Sequence, residues 1–305
     1  MFLMMSMVAD GAEIEADTLL CCASCGIAEI DGIKLKDCDG CDLVRYCSDE
    51  CQDNHKSQHQ EACKKRTAEL RDEILFKQPE STHHGDCPIC SLPLSLVLKK
   101  CTMYNCCSKI ICDGCFHAIK NREVEGLRQS CPFCRESAFI TDEEIGKQNM
   151  KRIEANDPVS IYQEGGKQYD KGEYRIAFEY FTKAAELGNA QAHFRLSGLY
   201  LYGEGVEKDE GKEIRHLEVA AIAGHPIARY NLGVTEWNNS NMERAVKHWI
   251  IAATQGYDNA MKELMDAFKG GFVSKEVLAA ALRAHKAAVD ATKSPQREAA
   301  AAARI

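Results

Sequence analysis

The chain has 305 residues, 45% hydrophobic and 28% charged, with a formal net charge of -8, an ordinary globular composition that excludes wholesale disorder. The acidic balance leaves no electrostatic footprint for nucleic acid as a partner, and no apolar run approaches the roughly 20 residues of a membrane span. The length predicts two or three domains.

All 17 cysteines lie between Cys21 and Cys134, so composition alone divides the chain in two. An odd number of closely paired thiols points to metal in a reducing compartment, cytoplasm or nucleus, rather than to a secreted disulfide framework.

Residues 1–20 read as a poorly ordered leader. Met1 to Val8 is apolar but short, has no Lys or Arg before it, and runs into Asp10, Glu13, Glu15 and Asp17, which is not a signal-peptide pattern. From Cys22 the chain pairs its ligand-type residues: Cys22-x2-Cys25, Cys38-x2-Cys41, Cys47-x3-Cys51 and His59-x3-Cys63. A two-residue spacer aims two sulfurs at one point, as tetrahedral zinc requires. The segment from Ser48 to Arg66 lacks Pro and Gly, so a four-residue spacing there puts side chains on one helical face. Cys47 with Cys51 and His59 with Cys63 read as helix-borne pairs, and His55 as a solvated helix histidine.

Residues 22 to 63 resemble the MYND zinc finger without a gap, most specifically in Tyr46-Cys47 and the final His-x3-Cys. The resemblance implies interleaved ligands: one zinc on Cys22, Cys25, Cys47 and Cys51, and a second on Cys38, Cys41, His59 and Cys63, with Cys21 spare. It also implies a reader of short proline-containing peptides. This module occupies residues 21–66. Residues 67–86 read as a linker, starting as a helix with Leu70, Ile74 and Leu75 on its apolar side. It breaks at Pro79 and Gly85, with His83 and His84 exposed in a turn.

A denser cluster follows over residues 87–135: Cys87-Pro-Ile-Cys90, then Cys106, Cys107, Cys112 and Cys115, then Cys131-Pro-Phe-Cys134-Arg135. It resembles an all-cysteine RING finger, because Lys109 stands where that family commonly has a ligand histidine. The resemblance implies one zinc on Cys87, Cys90, Cys112 and Cys115 and another on Cys106, Cys107, Cys131 and Cys134, with Cys101 as the alternative to Cys106. It also implies that a ubiquitin-conjugating enzyme docks on Ile89 and Pro132, with Arg135 bridging that enzyme and its ubiquitin. The central helix, Phe116 to Leu127, lacks the tryptophan that many active RINGs present. Together the modules imply four Zn²⁺ with every coordination sphere closed, and no open water position for zinc hydrolysis.

Thr141-Asp-Glu-Glu144 is a capping box that opens a connecting helix, residues 141–156. Beyond it Ala184-Ala185-x-x-Gly188 recurs as Ala220-Ala221-x-x-Gly224 and Ala252-Ala253-x-x-Gly256, at intervals of 36 and 32 residues. A period in the thirties with a glycine closing each second helix predicts a solenoid of helical hairpins. The nearest family is the Sel1-like repeat, whose glycine-rich turn appears at Tyr202-Gly-Glu-Gly-Val206. A degenerate fourth copy, Ala260 to about Ala291, caps the stack, and Phe178, Tyr180, Phe181, Trp237 and Trp249 read as core.

The predicted fold class is thus small zinc-stabilised modules followed by an all-α helical-hairpin solenoid at residues 157–295, with residues 296–305 a fraying or disordered tail. The functional expectation is a RING-type E3 ubiquitin ligase that recruits substrate proteins through its repeats and its first finger. Lys109 and the missing tryptophan favour the alternative, a zinc-dependent protein–protein interaction scaffold without ligase activity.

Overall fold

A computed structural model describes residues 22–25, 34–121, 130–136 and 141–303; the predicted leader and the far half of the helix predicted over 116–127 lie outside the described residues. The chain divides after Ile74 into two compact units.

In the first unit β1 (Lys36–Asp37) pairs antiparallel with β2 (Arg45–Tyr46), Lys36 opposite Tyr46. Helix α1 (Asp49–Leu75) follows for 27 residues. Ser48 starts it, its Oγ accepting the Cys51 N–H at 3.2 Å, as an N-cap hydroxyl does. Cys47 therefore stands outside the helix, a correction to its predicted helix-borne pairing with Cys51. The predicted apolar side of α1 is also discontinuous, since Ile74 is 59% exposed.

Leu75, the last residue of α1, belongs to the second unit and is fully buried there. Its carbonyl is one of the acceptors a helix end leaves without an internal partner. The buried Arg229 donates to it through Nη1, and Nη2 donates at 2.9 Å to Ala221 O near the end of another helix. Burial lowers the Arg229 pKa to about 10. Residues 76–86, predicted as a linker, are held in place: Thr254 donates to Gln78 at 2.9 Å and the His83 N–H donates to Gly224 O at 3.0 Å. His83 and His84, predicted exposed, are half-buried, with the His83 ring 3.9 Å from His84 and 4.2 Å from His225.

The second zinc module contributes a hairpin, β3 (Cys101–Tyr104) with β4 (Lys109–Cys112), in which Cys101 faces Cys112. Helix α2 (Asp113–Asn121) follows directly. Leu94 and Ile111 fill the space between its metal-binding loops. Next comes α3 (Asp142–Glu154), opened by the predicted capping box: Glu144 N–H to Thr141 Oγ1 at 3.3 Å, and Thr141 N–H to Glu144 Oε2 at 2.7 Å.

The repeats form α4 (Pro158–Asp170), α5 (Tyr174–Glu186), α6 (Ala190–Tyr202), α7 (Glu210–Ile222), α8 (Pro226–Asn238) and α9 (Met242–Thr254), each of 13 residues. The degenerate fourth copy gives α10 (Asp258–Lys269) and a longer α11 (Lys275–Ala291). Gly188, Gly224 and Gly256 reverse the chain after α5, α7 and α9 at φ +84°, +81° and +85°, a region only glycine enters without strain. Ala184, Ala220 and Ala252 are fully buried, as are Phe181 and Trp249. Small residues allow close helix crossing, and aromatic rings fill the space between hairpins.

The predicted tail is instead helix α12 (Pro295–Ala302), capped by Ser294, which packs on α2 and buries Ala300. An alanine-rich stretch this short is marginal alone, so its order comes from that packing. The second zinc module also meets α4 directly. Ser108 and Ser160 hydroxyls lie 3.1 Å apart, and Gln163 Nε2 donates to Met103 Sδ at 3.0 Å.

The buried His225 and His248 and the half-buried His83 give the second unit a pH dependence. Burial, first of all, lowers the pKa of His83 to about 2 and of His225 and His248 to about 3. His83 faces His84 and His225, His225 faces Phe194 and Gln191, and His248 faces Phe76 with Arg229 and Arg244 nearby. The unfolded chain binds protons near pH 6.5 and the folded chain does not, so stability is full above that value and falls as pH drops below it. Each histidine costs about 2 kcal/mol at pH 5. Both tryptophans lie in α8 and α9, so their fluorescence reports this unit. Its melting temperature should fall between pH 6.5 and 5, and His248→Phe should flatten that slope by about a quarter or less, because burial also lowers His84, His193 and His216. An unchanged slope in the variant would contradict the assignment.

Candidate metal centres

The structure brings the sixteen sequence-predicted ligand residues into four groups: Cys22, Cys25, Cys47 and Cys51; Cys38, Cys41, His59 and Cys63; Cys87, Cys90, Cys112 and Cys115; and Cys106, Cys107, Cys131 and Cys134. Within each group the donor atoms all lie within 4.8 Å of one another. Cys106, not Cys101, completes the fourth group. Cys101 sits on β3 with its Sγ 3.9 Å from Ser95 O, and burial raises its pKa.

The distances test the fit to zinc. Four sulfurs about 2.3 Å from a tetrahedral Zn²⁺ stand about 3.8 Å apart, whereas a disulfide places them about 2.05 Å apart. Cys25 and Cys47 are separated by 3.6 Å, Cys38 and Cys63 by 3.8 Å, Cys87 and Cys115 by 3.8 Å, Cys90 and Cys112 by 3.8 Å, and Cys107 and Cys131 by 3.6 Å. No disulfide links the described cysteines. Thiolate and imidazole donors in closed sets of four are what zinc takes in structural sites.

Electrostatics agree with the geometry. Although burial opposes it, N–H donors of Cys25, Cys47 and Ser24 bring the Cys22 pKa down to about 6; Cys112, Cys90 and Ile89 bring Cys87 down to about 7. Neighbouring thiols are driven the other way. Cys25 and Cys51 push Cys47 up to about 12, and burial followed by Cys63 and Cys38 pushes Cys41 up to about 11. Several sulfurs converging on one point cannot all ionise without a cation between them.

In the first module Cys22 and Cys25 come from the segment held beside β2 by the Ala23 N–H donating to Arg45 O at 2.9 Å, Cys38 and Cys41 from the hairpin turn, Cys47 from just after β2, and Cys51, His59 and Cys63 from α1. Tyr46, fully buried on β2, bonds His55 Nδ1 through its hydroxyl at 3.0 Å, and the His55 ring stacks on His59 at 5.8 Å. His55 is therefore a support for the ligand histidine, not the solvated residue its sequence context suggested. Arg66 grips Asp42 with two bonds of 2.6 and 2.8 Å, tying the Cys38–Cys41 loop to α1. That bond holds the Asp42 carboxyl below the usual range. Sequence reasoning missed this pair, although Arg66 follows His59 and Cys63 at one-face helical spacing. A groove of about 450 Å³ runs beside the second tetrad, lined by Tyr46, Gln52, Lys56, Gln60, Lys64 and Arg71.

In the second module the metal-binding pairs interleave: the first with the third, the second with the fourth. Ile89 is 44% exposed, and Pro132 and Arg135 are exposed. Lys109, at the usual histidine position, is outside both groups and exposed on β4. No helix among the described residues is long and apolar enough to cross a membrane.

Comparison with known proteins places names on these parts. Residues 22–63 match the MYND finger model, and residues 160–189, 190–225 and 226–257 match the Sel1 repeat model. Chitin synthase regulatory factor 4 of Schizosaccharomyces pombe is 29% identical over 106 residues, which is 32% of this chain and 17% of that protein. Among solved structures, a Sel1 repeat protein from Oxalobacter formigenes is 26% identical, covering 47% of this chain and 64% of its own, with a TM-score of 0.42. A protective antigen of uropathogenic Escherichia coli with an SLR fold is 22% identical, covering 61% of this chain and 39% of its own, with a TM-score of 0.38. The chain thus carries a cysteine-rich zinc module of the MYND type followed by a solenoid of Sel1 repeats.

Proposed function

We propose that the protein is a zinc-dependent interaction scaffold, with zinc holding loops in the docking shape and the repeats presenting a second surface. The carrying observation is the four closed tetrads, which leave no ligand position for substrate and contribute only structure. MYND fingers and Sel1 repeats both mediate protein–protein interaction. In this reading the groove along α1 takes a proline-containing peptide, and the reducing cytosol or nucleus keeps the thiols available for metal.

A second reading is favoured by the interleaved pairs of the second module and by the exposure of Ile89, Pro132 and Arg135. It makes residues 87–135 a RING-type finger and the protein a ubiquitin ligase. Such a ligase forms no covalent intermediate; it accelerates transfer by holding the charged conjugating enzyme in its reactive arrangement near a substrate. Arg135 adopts φ +63°, which turns the chain directly after the last ligand.

The two readings part in one assay: discharge of ubiquitin from a panel of charged conjugating enzymes by the full chain. The scaffold reading expects no acceleration with any of them. The ligase reading expects acceleration that Ile89→Ala abolishes through lost binding, and that Arg135→Ala slows at unchanged binding. Acceleration that Ile89→Ala removes would overturn the scaffold reading.

A further inference from the structure

The third tetrad has a neighbour from the far end of the chain. Arg297, on α12, lies 207 residues from Cys90 in sequence. Its Nη2 points at Cys90 Sγ at 3.5 Å and donates to Leu92 O at 3.1 Å, while Nη1 donates to Pro93 O and Thr292 O, both at 2.7 Å. Three of these four acceptors belong to the loop that carries the Cys87–Cys90 pair.

The approach is prepared on the other side by Gly114 of α2. A Cβ there would lie 2.8 Å from both Arg297 Cγ and its backbone N, so α12 reaches this depth only because position 114 has no side chain. Arg297 forms no ion pair with a carboxylate among the described residues. A half-buried guanidinium needs a compensating negative charge. The nearest candidate is the tetrad itself, since four thiolates around one Zn²⁺ carry about two units of net negative charge.

We infer that Arg297 is a positioning residue for the third metal site, donating an N–H to the Cys90 sulfur and offsetting the charge of the zinc–thiolate group, so that this site's grip on its metal depends on the C-terminal helix. Hydrogen bonds from outside the coordination sphere fix ligand orientation, and their loss typically weakens metal affinity by about 10–100-fold. The bonds of Arg297 reach the Cys87–Cys90 loop of the third site, and the inference is confined to that site. The inference concerns metal retention alone and holds whether or not the module docks a conjugating enzyme.

The test uses the full chain loaded with zinc, challenged with a chromophoric chelator, and loaded in parallel with ¹¹³Cd for NMR. Arg297→Met keeps the aliphatic stem that covers Gly114 and removes the donors and charge. One metal of four should then be released about 10–100-fold faster, and one all-thiolate cadmium resonance should move while the others stay. Arg297→Lys, which keeps the charge but loses the forked donors, should fall between Arg297→Met and wild type. Gly114→Ala, which displaces α12 with Arg297 intact, should loosen the same site. Release rates in Arg297→Met equal to wild type, loosening of all four sites together, or a loose site in Gly114→Ala but not in Arg297→Met would each overturn the inference.

Discussion

Cys112→Ala should cost the second zinc module its fold. Cys112 is 2% exposed at the end of β4, facing Cys101 on one side and leading directly into α2 on the other. Its sulfur is 3.8 Å from that of Cys90 and accepts the Cys115 N–H at 3.4 Å. Alanine leaves three donors around the third site. A structural zinc contributes about 10–16 kcal/mol of apparent binding free energy, against about 5–15 kcal/mol for the net stability of a whole domain, so no packing elsewhere in so small a module offsets the loss. The variant should carry about three zincs per chain and become sensitive to proteolysis between residues 87 and 135. Cys101→Ala is the matched control. It removes a half-buried thiol from the partner strand but no tetrad member, so it should keep the full zinc content and cost about 1 kcal/mol. A Cys112→Ala protein with unchanged zinc and unchanged protease resistance would remove Cys112 from the ligand set.

The parts legible in the sequence were those with a short internal period. Thiols two residues apart have little to do except face one point, and the Ala-Ala-x-x-Gly recurrence marks where helices cross and turn, so the grouped residues and the hairpins could be read directly. The parts not legible depend on single residues whose partners are remote. Arg229 reads as an ordinary helix arginine, yet its partner at Leu75 is 154 residues away. His225 and His248 are buried in part by Phe76 and His83, because residues 76–86 return onto the helix ends of the solenoid. Helix α12 has no periodic apolar stripe; its order comes from Gly114 and Arg297, and neither announces the other. The misplacement of Cys47 was local: the four-residue spacing to Cys51 suits a helix, but Ser48 caps the backbone in between and leaves Cys47 on the strand side.

The same ordering of forces says what metal removal should do. Among the described residues the first module buries only ligands and Tyr46 as its core, and the second has Leu94 and Ile111 besides its cysteines. The repeats instead bury Phe181, Leu196, Trp249 and Leu264, each contributing roughly 1.5–3 kcal/mol by transfer from water. Chelation should therefore abolish the near-UV signal of residues 22–136 while the far-UV helical signal and the tryptophan fluorescence of the repeats persist.

The most direct test is elemental analysis of the purified full chain, with that chelation followed by circular dichroism. Four tetrahedral sites predict about four zincs per chain, bound in two modules that unfold without them, with the solenoid left standing. Two zincs or fewer, or a near-UV signal indifferent to their removal, would contradict the four interleaved tetrads on which the account rests.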